Sequence, residues 1–282
     1  MRGERQGMNV EREQIRLNKY LAHSGVCSRR DADKLIARGA VLVNGQQARP
    51  GMQVTGQDIV TVSGQQIQNT GRIVVLAFYK PFGVTCTERD PHAERILSDL
   101  VKYPERVTYA GRLDKDSEGL LLLSNDGDLI QAMMKGANGH EKEYLVRVDR
   151  EIAEDFPEKM AQGVYLKELD LTTRKCFVEK TGKYTFRIVL TQGVNRQIRR
   201  MCMVWGYHVK SLKRIRVMHI RLENLKPGEY RVLAETDVER LCRDCGLHGG
   251  GRTIQGQKQF YAENAGPGME IFPKSPKKER DG

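Results

Sequence analysis

The chain has 282 residues, 47 of them Lys or Arg against 36 Asp or Glu, for a formal charge of +11. That length allows one large domain or two smaller ones, and 39% hydrophobic residues can fill a core. No apolar run reaches the roughly 18 residues of a membrane span and no charged-then-apolar signal is present, so membrane insertion and secretion are set aside and a cytoplasmic address is expected.

Residues 1–14 are polar and read as a flexible leader. From Ile15 onward, Leu17, Tyr20 and Leu21 share one helical face. Gly25 interrupts the pattern, and Ser28-x-x-Asp31 has the form of a capping box opening a second helix. Ala32, Leu35 and Ile36 give that helix its apolar stripe, and Gly39 suits its end. Residues 41–43 read as a strand, Asn44-Gly45 as a hairpin turn, and Val54, Ile59, Val60 and Val62 as further short strands. A small domain over 15–64 is expected, then a polar linker over 65–72. A buried strand at 73–79 opens a second domain running to residue 246. Within it, 120–123, 144–148 and 184–190 read as strands, and 128–135 and 196–205 as helices. The order lacks a regular beta-alpha-beta rhythm, which predicts an α+β class with a mixed, largely antiparallel sheet. Residues 247–282 are too polar to bury a core and are expected to form a disordered basic tail.

The six cysteines are scattered, so no disulfide framework is expected. Only Cys242-x-x-Cys245, with His248 nearby, has ligand-like spacing. A zinc site would normally need a second ligand pair, so a helix end carrying two small apolar residues is expected, with no metal. Phosphate-binding glycine loops, serine-nucleophile elbows and zinc helices are absent from the sequence.

Three segments remain. Residues 111–119 (GRLDKDSEG) form a charge-dense loop between glycines that leads into a buried strand, where a scaffold can hold reactive groups. Residues 193–201 (GVNRQIRRM) place Arg196, Arg199 and Arg200 near a helix start, suited to anion or RNA contact. Residues 141–146 (EKEYLV) set Tyr144 at the start of a strand. Taken singly, these also fit a solvated turn, a basic helix face and a core tyrosine.

Together with Lys80-Pro81-Phe82-Gly83, the three segments resemble, in order, the motifs of RNA pseudouridine synthases of the RsuA family, which modify bacterial ribosomal RNA at single sites. RLNKYL from Arg16, SRRDAD from Ser28 and VNG from Val43 resemble the S4 RNA-binding domain that precedes the synthase domain in that branch. The resemblance spans about residues 15–235 and comes nearest to the F-type large-subunit synthases. It implies that Asp114 is the catalytic aspartate, Tyr144 the residue stacked on the target base and Arg199 the arginine paired with the aspartate. Arg112 would fill the gap left by a flipped uridine. Arg16, Lys19, Arg29, Arg30 and Lys34 of the S4 module, with Arg196 and Arg200, are expected to contact RNA. Asp116 and Lys115 are expected to shape the loop or face RNA. No cofactor is expected, because isomerisation involves no net redox change. It needs one carboxylate, as nucleophile or base, kept ionised by a cation, and a base flipped out of its stack. The implied partner is large-subunit ribosomal RNA or an assembly precursor, with transfer RNA as a second candidate, and the enzyme is expected to be a monomer.

Two other readings are open to the sequence. A non-catalytic S4 binder would leave Asp114, Tyr144 and Arg199 without a role. A glycoside-type hydrolase would normally need two carboxylates across the bond.

Overall fold

A computed structural model describes residues 14–67, 72–87, 95–247 and 253–254. Nearly all of the expected leader and most of the expected tail lie outside them. Helices α1 (Leu17–His23) and α2 (Arg29–Ala37) pack as a pair. The Ser28 hydroxyl accepts the Asp31 N–H at 3.1 Å and donates to its carboxylate at 2.7 Å, which starts α2 where its sequence signal lies. Strands β1 (Val41–Val43) and β2 (Gln46–Gln47) flank Asn44-Gly45, whose φ values of 51° and 79° make the tight turn that this dipeptide favours. With β3 (Val60–Val62) and β4 (Gln65–Ile67) they form a sheet in the order β2-β1-β3-β4. Leu17, Leu21, Ala32, Ile36, Val41 and Val60 fill the core between helices and sheet.

Strand β4 lies in the segment expected to be linker. One apolar residue in three offers no alternation to read, yet Ile67 packs against this core and its carbonyl accepts the Tyr20 hydroxyl at 3.2 Å. The module therefore continues at least to Ile67.

Among the described residues the second domain is built on a nine-stranded sheet. Its main path uses β5 (Val75–Lys80), β6 (Glu118–Ser124), β7 (Lys142–Val148), β8 (Phe177–Gly182), β9 (Thr185–Leu190), β10 (Val209–Val217) and β11 (Tyr230–Val232). Their order is β8-β9-β7-β10-β6-β5-β11, and only β6 and β10 run parallel. The expected α+β class holds. Helices α3 (Gly127–Met134) and α6 (Glu235–Asp244) cover one face over Val75, Ala77, Leu120 and Leu122. On the opposite face α4 (Phe156–Ala161) and α5 (Gln197–Val204) cover Val146, Phe186, Ile188 and Leu212. Cys242 and Cys245 sit in the first of these cores, at the end of α6, as small apolar residues do. Thr253–Ile254, in the segment expected to be disordered, pairs in parallel with Arg72–Ile73.

The parallel junction sets the position of the functional residues. Gly119 has φ +107° and an added Cβ would lie 2.2 Å from the Arg214 carbonyl oxygen. Any side chain there would force β6 and β10 apart, so the close approach requires glycine.

Candidate active site

Register places four residues in one row across the sheet. Gly119 pairs with Lys80 on one side and Arg214 on the other, and Arg214 pairs with Tyr144. Directly paired residues share a face, so Lys80, Arg214 and Tyr144 project together from the face of Gly119. Lys80 and Arg214 are 0% and 3% exposed, a depth that charged side chains rarely reach. Lys80 donates to the carbonyls of Pro81 at 2.9 Å and Ser117 at 2.7 Å, and Arg214 Nε donates to that of Leu120 at 2.7 Å. Burial lowers the Lys80 ammonium to about 8, against the opposing pull of Cys86, Asp114 and Asp116.

The loop before β6 lies over this row. The Gly83 N–H donates to the Lys115 carbonyl at 2.8 Å, the Ser117 N–H to the Asp114 carbonyl at 3.1 Å, and the Leu113 N–H to Cys86 Sγ at 3.5 Å. These bonds, with that of Lys80 to Ser117, fix the loop from below and leave the Asp114 side chain 34% exposed.

The arginines reach the loop from α5. Arg196, just before the helix, has φ +51°, a left-handed conformation that is uncommon outside glycine. Its guanidinium grips Asp116 at two points, 3.1 and 2.9 Å, and approaches Asp114 to 3.8 Å. Arg199 donates to the Asp116 carbonyl at 2.6 Å, the Ser117 hydroxyl at 3.4 Å and the Val209 carbonyl at 3.2 Å, and lies 3.3 Å from the Asp116 carboxylate. The structure thus gathers Asp114, Arg196 and Arg199 where α5 meets the loop, above the row that ends in Tyr144. It corrects one pairing: Arg199 bonds to Asp116, and Asp114 makes its ion pair among the described residues with Arg196. The left-handed turn at Arg196 carries that side chain across the loop, while Arg199, in the first turn of the helix, meets the loop's main chain. Burial raises the Asp116 carboxyl, but the hydrogen bonds from Arg196 and the charges of Arg199 and Arg196 outweigh it and hold the group below its usual value.

Tyr144 is half-buried against the apolar clusters of this face. The preceding Glu143 is buried between Arg216 at 2.6 Å and Arg187 at 3.1 Å, which anchors the start of β7. Arg112 is exposed beside the loop, as are Arg16 at the start of α1 and Arg29 and Arg30 at the start of α2. Lys34 is exposed and pairs with Asp31 at 3.0 Å. The Lys19 ammonium lies 2.7 Å from Asp128 of α3, an ion pair between the two domains. Arg200 pairs with Glu168 and donates to the Asn195 carbonyl at 3.1 Å. Among the described residues, His23, Asp126 and Asp128 form the one group of three whose potential metal-ligand atoms all lie within 4.8 Å of one another. Lys19 already neutralises Asp128, and Asp126 caps α3 by accepting the Leu129 N–H.

Sequence reasoning gave no role to Lys80 or Arg214. A lysine closing an otherwise apolar strand was the available signal. The ammonium supplies positive charge below Asp114, so the single-turnover rate should fall as pH rises through about 8. In Lys80→Arg the falling limb should disappear, because guanidinium stays charged. A wild-type rate that stays level well above that pH would contradict the role.

Residues 74–203 match the RNA pseudouridylate synthase family and residues 15–60 the S4 domain. Over 226 residues the chain is 46% identical to the dual-specificity RNA pseudouridine synthase RluF of Escherichia coli (strain K12), covering 79% of this chain and 77% of that protein. It is 34% identical over 232 residues to the ribosomal large subunit pseudouridine synthase B of Bacillus subtilis (strain 168), covering 80% and 95%. A crystal structure of a pseudouridylate synthase aligns with a TM-score of 0.59 at 27% identity, covering 80% of this chain and 99% of that one.

Proposed function

The chain belongs to the RNA pseudouridine synthases that carry an N-terminal S4 domain, and we propose that it isomerises a single uridine of 23S ribosomal RNA, using Asp114 and no cofactor. The observation that carries this reading is the placement of Asp114: a partly exposed carboxylate on a pinned loop, ion-paired with Arg196, above a buried cationic floor.

The reaction breaks the bond between C1′ and N1, turns the base and joins C1′ to C5, and the C5 proton leaves to solvent as N1 gains one. Substrate and product have the same formula, so no oxidant or reductant is consumed. One carboxylate serves as nucleophile or base. A duplex or stacked uridine cannot reach Asp114, so the base flips out. Tyr144 offers it a stacking surface and Arg112 fills the vacated space. One copy carries every residue in this scheme, and we place the enzyme in the cytoplasm as a monomer. Among the described residues no helix is long and apolar enough to cross a membrane.

Mapping pseudouridines in ribosomal and transfer RNA from a strain lacking the gene tests the assignment. One position in 23S RNA should revert to uridine and return with the wild-type gene. A loss confined to transfer RNA would overturn the choice of substrate.

The S4 module adds cations away from the reacting base. Deleting residues 1–67 should weaken RNA binding and reduce the salt slope by about 0.7–0.9 for each phosphate that is no longer neutralised. Circular dichroism should show that the synthase domain remains folded. An unchanged slope would mean that the module does not bind phosphate.

A further inference from the structure

Two arginines and two aspartates meet at the loop, and their pairing is uneven. Asp116 receives the bidentate fork of Arg196, at 3.1 and 2.9 Å, and takes Arg199 on both its carboxylate and its carbonyl. Among the described residues Asp114, two residues earlier, has one ion-pair approach, of 3.8 Å, beyond hydrogen-bond reach. Arg196 holds this position from a left-handed backbone, a conformation that persists only where surrounding contacts impose it. With Asp116 removed, the same guanidinium would lie within a small torsional movement of the neighbouring carboxylate. Planar guanidinium–carboxylate pairs form preferentially in bidentate geometry. Such a pair would occupy both Asp114 oxygens and the space a ribose must enter.

We propose that Asp116 is a positioning residue that sequesters Arg196, keeping the oxygens of Asp114 open to substrate. It acts through Arg196 and touches neither base nor sugar. This role rests on the reading of Asp114 as the reacting carboxylate.

The test is a double-mutant comparison in the full-length enzyme, using single-turnover rates and KM on a uridine-containing ribosomal RNA fragment. Asp116→Asn should lower kcat on the order of 100-fold and change KM less than about threefold, because RNA still docks while Asp114 is blocked. Adding Arg196→Gln should then restore at least about tenfold of that loss, since the blocking guanidinium is gone. Asp116→Glu, which keeps a carboxylate in the loop, should retain most of the rate and serves as the readout if the asparagine variant fails to fold. A double variant as slow as Asp116→Asn or slower would overturn the proposal, as would a Glu variant as impaired as the Asn variant. An inactive wild-type enzyme would instead overturn the underlying assignment, so the two failures are distinguishable.

Discussion

Asp114→Asn should reduce isomerisation at least about 10,000-fold, roughly 5 kcal/mol of transition-state stabilisation, while RNA affinity changes less than about threefold. Asparagine matches aspartate in size and can keep the loop's packing. It cannot act as a nucleophile or base. Binding should survive because cations make the phosphate contacts, and removing one anion from a basic surface does not weaken them. Rapid-quench kinetics and filter binding on the same RNA separate the two effects. A variant retaining more than about 1% of the rate would remove Asp114 from the chemistry.

Arg199→Met should lower the rate on the order of 100- to 1,000-fold, about 3–4 kcal/mol, with little change in RNA affinity. The side chain is 14% exposed and joins α5, the loop at Asp116 and Ser117, and the start of β10 at Val209. Methionine approximates its bulk but removes the Arg199 donor from the Asp116 and Val209 carbonyls and a charge from a poorly hydrated position. Burial already depresses the Arg199 guanidinium against the pull of Asp116, so its charge is retained at a desolvation cost. Arg200 lies about 100° further round the helix and is tied to Glu168 instead. Arg200→Met should therefore cost mainly RNA affinity, about 1 kcal/mol as a phosphate contact. Equal losses of rate in the two variants would mean that Arg199 has no special place in the site.

The local signals were legible because they depend on neighbouring residues alone. Ser28 caps α2, Gly39 ends it, and Asn44-Gly45 turns the first hairpin, each as its residue type dictates. Strand β4 escaped because its partner contacts come from Tyr20 and the S4 core, which three polar-rich residues do not announce. Sheet order was likewise out of reach. The pairing of Gly119 with both Lys80 and Arg214 joins distant segments, and only that register shows Lys80 and Arg214 beneath the loop. Family resemblance makes Asp114, Tyr144, Arg196 and Arg199 legible as candidates, and the structure sets Asp114, Arg196 and Arg199 together at the loop. The matching of arginines to aspartates was not, because it turns on one backbone angle at Arg196.

If this chain moves a uridine's glycosidic bond from nitrogen to carbon through Asp114, the proton on C5 must leave the base. Incubating purified enzyme with ribosomal RNA carrying tritium at uridine C5 measures this directly. Tritium should appear in water stoichiometrically from one site, with the RNA intact, no free uracil formed and no release from Asp114→Asn. Free uracil, or tritium release at the wild-type rate from Asp114→Asn, would contradict that chemistry.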